Sequence, residues 1–560
     1  MSDKVKIFSL GGLDEHGKNM YIVEINDEIY VLDCGLKYPD NKIPGVDALI
    51  PNFDYLKENK KRVKGYFISH FHDDKMGALP YIYREIPAPV ITTAFTARAL
   101  EIYSKHVGVV NDYKYIYINN CGEKIINGRK FHFTLMTHSA PFSLACSIYT
   151  DQGYITYTSD YVIDFNPLPL EFKMSMPAIS ELSRENILAL LSDSSNADKP
   201  GHSSPDYQLT PHVHDYFENS TGRIYCAIYG QNMMNIYELY ALAAKTGKTI
   251  VCANKVTEVF FQNIFSQSTY GIQQKVKFDK LENINRLRDK DVVVVLINDG
   301  GVLYEDIIKF CLGEGISKPI EFSRDDTFIF DCPAVAATEI IATEALDATY
   351  KTGCKVVKLG RKEINSMHAN EEDIKMMITF LHPKYYIPVS GSFTDLMTNA
   401  KIALNQDKHY NYSNIFVLDN GMVISGENGN LKIDIKASIQ TGDVMIDGTD
   451  IGNVGNNVIE QRNRLSNDGV VIMGVTVSSK EKRIIGGPDV QMRGFVFLKD
   501  SENILHTITE LFLDQVKIYL TGYADEVSYE DKIIERITRY IRRETGKNPV
   551  IIPMIIDLDK

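Results

Sequence analysis

The chain has 560 residues, of which 44% are hydrophobic and 24% charged, a globular composition that excludes disordered and collagen-like classes. Its 60 Lys and Arg against 73 Asp and Glu give a formal net charge of −13, which disfavours a non-specific nucleic-acid coat but permits a local basic groove. Neither a signal-peptide pattern nor an apolar run of about 18 residues is present, so we expect a cytoplasmic protein without a membrane span. The eight cysteines form no CxxC pair, which favours reduced core residues.

The order of predicted strands and helices divides the chain into five parts. Residues 1–205 contain short apolar strands that end in Gly or Asp turns, a pattern typical of a sheet-rich layer. Strands alternate with helices over 206–349, which predicts a parallel α/β region, and a strand–turn–helix pattern returns over 350–435. A connector rich in Gly, Asp and Asn covers 436–465. Residues 466–560 contain strands and two amphipathic helices, which predict a small α+β domain.

A candidate metal site lies where three predicted strands end. His70 and His72, in the segment YFISHFHDD, follow a buried strand, and extended backbone points residues i and i+2 to the same side. His138 ends a second strand and Asp160 ends a third. Three imidazoles and one carboxylate form a ligand set that suits zinc, with manganese as a chemically reasonable alternative.

A second His-x-His pair, His212 and His214, is expected to lie on the protein surface. It falls in a predicted helix, where residues i and i+2 diverge by about 200° around the axis. The two imidazoles therefore point in different directions, and the pair is not part of the predicted site.

The first pair belongs to a longer pattern. The segment from His70 to Lys75 resembles the His-x-His-x-Asp-His signature of the metallo-β-lactamase superfamily, and Asp33 in YVLDCG matches its first acidic motif. Asp193 in LLSDSSNADKPG and His368 in SMHANEED resemble the first two motifs of the β-CASP nucleases, and YYIPVSGS resembles the third. With the tail GVTVSSKEKRIIGGPDVQMRG, the resemblance spans essentially the whole chain. It is a resemblance to the ribonuclease J family, and most of all to the diverged second paralogue of bacteria that carry two.

The resemblance implies a fold and an activity. The fold is α/β: residues 1–205 and 350–435 form a metallo-β-lactamase αββα sandwich, and 206–349 form an inserted β-CASP parallel α/β domain. A linker over 436–465 leads to a small C-terminal α+β domain over 466–560. The implied activity is that of a metal-dependent 5′→3′ exoribonuclease that can also cut internally, acting in rRNA processing and mRNA decay.

The resemblance also assigns roles to individual residues. The implied metal ligands are His70, His72, Asp74, His138 and Asp160. The implied catalytic set is Asp74, Asp160 and His368. Its two carboxylates orient metal and water, and its imidazole stabilises the phosphate or assists the leaving group. The implied RNA contacts are Asn232, Asn365, Ser366 and His368. Asp193 is the acidic β-CASP residue.

Two departures from the pattern affect the second of the two metal ions that the family uses. The family has His where this chain has Lys75 and Ser390, so only Asp74 and a shared Asp160 remain for that ion, and one ion is expected. A protonated lysine has no lone pair for a metal and repels a nearby cation. Two placements of Lys75 remain open: its ammonium takes the second ion's place beside the two aspartates, or its side chain turns to solvent.

The phosphate-binding loops depart from the family as well. In the His-x-Ser-Gly-His-like loop, Ile364 replaces the leading His and Met367 replaces the Gly. The Ser-Asn-x-His-Arg-like loop reads QNMMN over 231–235, and the Gly-Ser-Gln-Gly-Glu-Pro-like loop reads NDGGV over 298–302. Each lost His or Arg removes a charge-assisted phosphate contact.

These departures lead to two predicted functions. The first is a ribonuclease J-type enzyme that hydrolyses RNA weakly because its second metal site is degenerate. The second, of another class, is a catalytically inactive structural or regulatory subunit that pairs with the active paralogue. The expected partners are RNA, that paralogue in a hetero-oligomer, and further copies of this chain in a homodimer or tetramer.

Overall fold

The structure is a computed structural model that describes residues 2–39, 45–166, 169–264, 276–314, 320–335, 338–451, 456–494, 501–521 and 526–559. The chain divides into two compact units, one of Met1–Tyr38 with Ala48–Val444 and one of Pro39–Asp47 with Met445–Lys560. Residues 452–455 of the predicted connector lie outside the described residues. None of the described helices combines the length and the apolar character that crossing a bilayer requires.

The strands of the first unit are β1 (Val5–Gly11), β2 (Met20–Ile25), β3 (Glu28–Leu32), β4 (Ala48–Pro51), β5 (Val63–Phe67), β6 (Val90–Thr92), β7 (Tyr115–Tyr117), β8 (Gly122–Ile126), β9 (Arg129–Leu135), β10 (Leu144–Thr150), β11 (Gly153–Tyr157), β12 (Ile187–Asp193), β13 (Ile224–Tyr229), β14 (Thr249–Cys252), β15 (Lys277–Lys280), β16 (Val292–Asn298), β17 (Thr327–Asp331), β18 (Lys355–Lys358), β19 (Tyr385–Val389), β20 (Met422–Glu427) and β21 (Asn430–Ser438).

The helices of this unit are α1 (Asp54–Glu58), α2 (Asp73–Met76), α3 (Leu79–Glu85), α4 (Ala94–His106), α5 (Met176–Leu182), α6 (Thr210–Asn219), α7 (Met233–Thr246), α8 (Lys255–Ile264), α9 (Gly300–Leu312), α10 (Glu339–Lys351), α11 (Glu371–Leu381) and α12 (Phe393–Gln406).

Two facing sheets form the first part of this unit. One has the strand order β21-β20-β1-β2-β3-β5-β6-β7 and the other β19-β12-β11-β10-β9-β8. Apolar side chains of both sheets share one core, in which the rings of Phe67 on β5 and Phe133 on β9 stack with centroids 6.1 Å apart. A further apolar cluster joins the six-stranded sheet to α5, α11 and α12. The sheets also place the carboxyl ends of the adjacent parallel strands β11, β12 and β19 at one edge.

The middle region forms a separate, fully parallel sheet in the order β15-β14-β16-β13-β17-β18. Its central strand β16 reads VVVVLIN and is buried over its first six residues, as expected when helices cover both faces of a parallel sheet. Two apolar clusters cover its two faces, one with α6 and α7 and the other with α9 and α10. The predicted fold class, a sandwich with an inserted parallel α/β region and a C-terminal α+β part, is confirmed.

The remaining elements are β22 (Asp443–Asp447), β23 (Asp450–Ile451), α13 (Asn456–Asp468), β24 (Val470–Ser478), β25 (Arg483–Arg493), α14 (Ser501–Leu520), α15 (Glu526–Thr545) and β26 (Val550–Asp557). In the second unit, β24 lies between β25 and β26, and α14 and α15 share an apolar core with this sheet. Ile533, Ile537 and Ile541 of α15 are fully buried, which confirms the predicted apolar face of the last helix.

Candidate metal centre

The first two imidazoles of the site come from the segment between β5 and α2. His72 has extended backbone (φ −67°, ψ 148°) and is the N-cap of α2, so its side chain and that of His70 point to the same side. Both side chains are buried, and His70 Nε2 lies 3.1 Å from His72 Nδ1. This local geometry is the one that the His-x-His spacing predicts.

His138 and Asp160 join the pair from the loops that follow β9 and β11. His138 Nε2 lies 3.4 Å from His72 Nδ1. Asp160 Oδ2 lies 3.7 Å from His70 Nε2 and 3.9 Å from His138 Nε2. The structure therefore brings together all four residues that the sequence analysis assigned to the first metal.

Each imidazole is oriented by an oxygen atom on its other side. His72 Nε2 lies 2.9 Å from the carbonyl oxygen of Gln231, and His138 Nδ1 lies 2.7 Å from that of Met367. A carbonyl oxygen only accepts, so both of these nitrogens donate and the nitrogens that face the site carry lone pairs. His70 Nδ1 lies 3.0 Å from Ser69 Oγ, and the Ser69 hydroxyl donates to the buried Asp33 carboxylate at 2.9 Å.

The charge state of these groups fits a metal ion. Burial and the neighbouring imidazoles hold the pKa values of His70 and His138 well below the usual range, and burial lowers the pKa of His72. Three neutral imidazoles with converging lone pairs, next to the carboxylate of Asp160, are the donor set of a zinc-type site. These residues could therefore hold one ion.

Lys75 lies beside this donor set, and the alternative in which it turns to solvent is wrong. Its side chain is fully buried, and its Nζ lies 2.8 Å from Asp160 Oδ1 and 3.4 Å from Asp74 Oδ2. Burial opposes the charge, but the carboxylates of Asp160 and Asp74 hold the pKa of Lys75 well above its usual value. The side chain is therefore an ammonium ion paired with both aspartates.

Ser390 and Asn19 close the site around Lys75. Ser390 follows β19 with a left-handed backbone (φ 64°), and its Oγ lies 3.5 Å from Lys75 Nζ. The Ser390 hydroxyl donates to Asn19 Oδ1 at 3.1 Å, and Asn19 Nδ2 donates to Asp74 Oδ2 at 2.9 Å. Asn19 thus holds Asp74 in place on the partly exposed side of the site.

His368 is charged, unlike the other three imidazoles of the site. Its Nδ1 donates to Asp193 Oδ2 at 2.8 Å, and it belongs with Asp160 and Asp193 to a second group of converging donor atoms. Burial alone would lower the pKa of His368, but the carboxylates of Asp193 and Asp160 raise it to about 9. At neutral pH it is therefore a proton donor rather than a metal ligand.

The two apolar residues of the loop before His368 pack against protein, whereas Ser366 in the same loop is exposed. Ile364 and Met367 are buried in an apolar cluster of the middle region. The exposed Ser366 exchanges hydrogen bonds with Asn196, whose side-chain nitrogen lies 3.0 Å from Ser366 Oγ. Asn365 is half-buried, and its backbone N–H donates to the carbonyl of Asp206.

Two further expectations concern α6 and α7. The side-chain oxygen of Asn232 caps α7 by accepting from the backbone N–H of Asn235 at 3.3 Å. His212 and His214 lie on α6, where His214 Nε2 lies 3.2 Å from a Glu218 carboxylate oxygen and 3.1 Å from Lys245 Nζ, and the structure does not bring them to the site.

Sequence reasoning missed several residues that shape the site. Ser69 and Asn19 are short polar residues at strand ends, and neither carries a local signal that marks it. Gln231 and Met367 act through backbone carbonyls, which every residue type possesses. The local geometry of the His-x-His segment predicts ligands, whereas only the three-dimensional neighbours identify these supporting groups.

Comparisons with known proteins agree along the whole chain. Residues 13–194 match the metallo-beta-lactamase superfamily, and residues 457–558 match the ribonuclease J C-terminal domain. The chain is 30% identical over 555 residues to ribonuclease J 2 of Staphylococcus saprophyticus, across 99% of this chain and 98% of that protein. It is 29% identical, over the same shares, to ribonuclease J 2 of Staphylococcus aureus strain MRSA252.

One solved structure shares the fold at low sequence identity. It is a protein of unknown function from Enterococcus faecalis V583, with a TM-score of 0.51 and 14% identity. The match covers 75% of this chain and all of that protein.

Proposed function

The chain belongs to the ribonuclease J family, and on that premise we propose that it binds RNA with a centre that holds one metal ion and hydrolyses RNA weakly. The observation that carries the proposal is the position of Lys75 Nζ, 2.8 Å from Asp160 and 3.4 Å from Asp74. These carboxylates, with position 390, are the ones that the family pattern assigns to the second ion. The ammonium takes the place of that ion.

An ammonium group is a poor substitute for a divalent ion. It supplies one positive charge to the neighbouring carboxylates, but it only donates hydrogen bonds and cannot coordinate ligands as a metal ion does. Its charge also disfavours a second cation at the same carboxylates. Two-metal hydrolysis divides the stabilisation of the attacking and leaving oxygens between two ions, so the loss of one weakens the reaction.

The single ion is proposed to be zinc, with manganese as the alternative, held by His70, His72, His138 and Asp160. When bound, such an ion supplies Lewis-acid chemistry at a phosphoryl oxygen. Around it, protonated His368 can donate a hydrogen bond to a phosphate oxygen or a proton to the leaving oxygen. Asp193 keeps that proton on His368, and Asn19 orients Asp74.

A second candidate function is that of a structural or regulatory subunit, located in the cytoplasm, that pairs with an active ribonuclease J paralogue. It is favoured by an apolar sheet face in the second unit. On β26 alternate residues face away from the helices, and Ile552, Met554 and Ile556 are 42%, 47% and 57% exposed. Apolar residues grouped on one exposed face are typical of an interaction surface. The same face could serve a homodimer or a tetramer.

The test is metal content together with RNA hydrolysis. Bound metal per chain is measured by mass spectrometry of the purified protein, and hydrolysis is measured on a 5′-monophosphorylated RNA with and without the paralogue. We expect one ion per chain and slow hydrolysis that His72→Ala abolishes. The matched control His212→Ala removes an imidazole on α6 and leaves both quantities unchanged.

Two outcomes would contradict the first proposal, and a third would favour the second candidate function. Two ions per chain would contradict the argument from Lys75. Brisk hydrolysis by the chain alone would contradict weak activity. No hydrolysis by the chain, combined with a change in the paralogue's rate on mixing, would favour the regulatory subunit.

In the double variant Lys75→His with Ser390→His, metal content should rise toward two ions, while activity stays low because the phosphate loops are altered too.

A further inference from the structure

Gln231, in the turn after β13, links the predicted metal centre to the middle region. Its carbonyl oxygen lies 2.9 Å from His72 Nε2, and its side-chain amide donates to Asp73 Oδ2 at 3.3 Å. Its backbone N–H donates to Asp299 Oδ1 at 3.2 Å. Gln231 therefore contacts the predicted metal ligand His72 through its carbonyl oxygen and Asp299 through its N–H.

This N–H lies where an open parallel sheet receives its ligands. β13 and β16 are neighbouring parallel strands, and the turns after them lead into the N-termini of α7 and α9. Ligands bind in the crevice outside the carboxyl ends of such strands, and helix N-termini there favour anions. The group that the turn after β13 holds belongs to the chain itself: it is the carboxyl group of Asp299, the N-cap residue of α9.

The Asp299 carboxylate fits closely against the turn. A Cβ atom on Gly230 would lie 3.0 Å from Asp299 Oδ2, so the carboxylate packs directly on the turn backbone. Burial raises the pKa of Asp299 to about 7 in spite of the bond from Gln231, and the nearby carboxylate of Asp73 adds to the rise. Asp73 itself accepts from Tyr38 Oη at 2.6 Å. A phosphate that approached the Gln231 N–H would have to displace the Asp299 carboxyl group, with the Asp73 side chain nearby.

We propose that Asp299 is a specificity-determining residue, whose carboxylate occupies the N–H group at which a terminal RNA phosphate would be received. It thereby reduces the preference for 5′-monophosphorylated over 5′-hydroxyl RNA ends. The effect falls mainly on the RNA end because a phosphate monoester carries nearly two negative charges at neutral pH, whereas each internal phosphodiester carries one. This inference rests on the proposed RNA-binding function and adds which chemical form of the RNA 5′ end, the monophosphate, Asp299 acts against.

The test compares one RNA sequence with a 5′-monophosphate and with a 5′-hydroxyl end. Both are made with a phosphorothioate backbone that resists hydrolysis, and binding to the full chain is followed by fluorescence anisotropy. The variants are Asp299→Asn, which keeps the shape of the side chain and an oxygen that can accept from the Gln231 N–H, and Asp299→Ser, whose side chain is shorter; Asp299 makes no side-chain capping bond to α9. The control Asp347→Asn removes one exposed carboxylate from α10 of the same region.

Asp299→Ser withdraws both the charge and the oxygen that accepts from the Gln231 N–H, whereas Asp299→Asn withdraws the charge alone. We expect Asp299→Ser to shift the ratio of the two dissociation constants toward the 5′-monophosphate by about tenfold, the scale of one hydrogen bond to a charged group, and Asp299→Asn to shift it in the same direction. The ratio for Asp347→Asn should equal that of the wild type.

Two results would overturn the inference, and they can be told apart. If both RNAs bind and the ratio stays within about twofold of the wild type in both variants, Asp299 does not set end preference, while RNA binding stands. If neither RNA binds to the wild type or to a variant, the RNA-binding function fails and the role of Asp299 fails with it. Thermal unfolding shows whether each variant is folded, and Asp299→Ser decides if Asp299→Asn is not.

Discussion

Lys75→Met tests the buried ammonium on which the proposed function depends. The substitution keeps a side chain of similar length and leaves Asp160, which is 2% exposed, without its 2.8 Å partner. Coulomb's law with an effective dielectric constant of about 20 gives roughly 6 kcal/mol for charges at that distance. The cost of burying the lysine offsets part of this attraction, and breaking a buried pair by removing one partner costs about 3–5 kcal/mol.

A loss of that size is a large part of the total stability of about 5–15 kcal/mol that a native domain has. The assay is urea unfolding of the chelator-treated chain, followed by far-ultraviolet circular dichroism because the chain has no tryptophan. We expect the free energy of unfolding of the first unit to fall by about 3–5 kcal/mol relative to the wild type.

The matched control is Lys375→Met. Lys375 Nζ also pairs with two carboxylates, those of Glu371 and Glu372, both at 2.7 Å, but its side chain is 27% exposed on α11. Exposed pairs contribute about 0–1 kcal/mol, so this variant should lose little stability. If Lys75→Met were no more destabilising than Lys375→Met, the reasoning that a buried ammonium compensates Asp160 would be refuted.

Two further predictions concern the groups around the predicted ligands. Ser69→Ala removes the hydroxyl that lies 3.0 Å from His70 Nδ1, and we expect metal affinity, measured by competition with a chelator, to fall by about 10- to 100-fold; an unchanged affinity would show that Ser69 does not orient His70. His368 has a folded-state pKa raised to about 9, so in the chelated chain the stability it contributes is present below about pH 6.5 and is lost as the pH rises through 9. The melting temperature of the wild type should therefore fall more steeply between pH 6.5 and 9 than that of His368→Gln, as measured by thermal unfolding at a series of pH values, and parallel curves would contradict the raised pKa.

Local sequence patterns were sufficient to predict much of the fold and part of the candidate site. The buried run of β16 and the alternation of strands with helices predict a parallel sheet, because a strand covered on both faces must be apolar throughout. The His70–His72 pair is equally local, since two residues apart on an extended chain share a side. His212 and His214 could be excluded from the site by the same kind of argument, because residues two apart on a helix point in different directions.

The sequence by itself determined the residue types of the predicted centre, which follow from residue identity and spacing, and the absence of two histidines, which follows from the resemblance to the family. It left the position of Lys75 open because a long flexible side chain can reach either solvent or a carboxylate, and Asp160, its closest partner, is distant in the chain. Tertiary structure decided that choice by burying the ammonium between Asp160 and Asp74. It also decided which oxygens orient His72 and His138, because backbone carbonyls are the same in every residue and only packing brings a particular one to an imidazole.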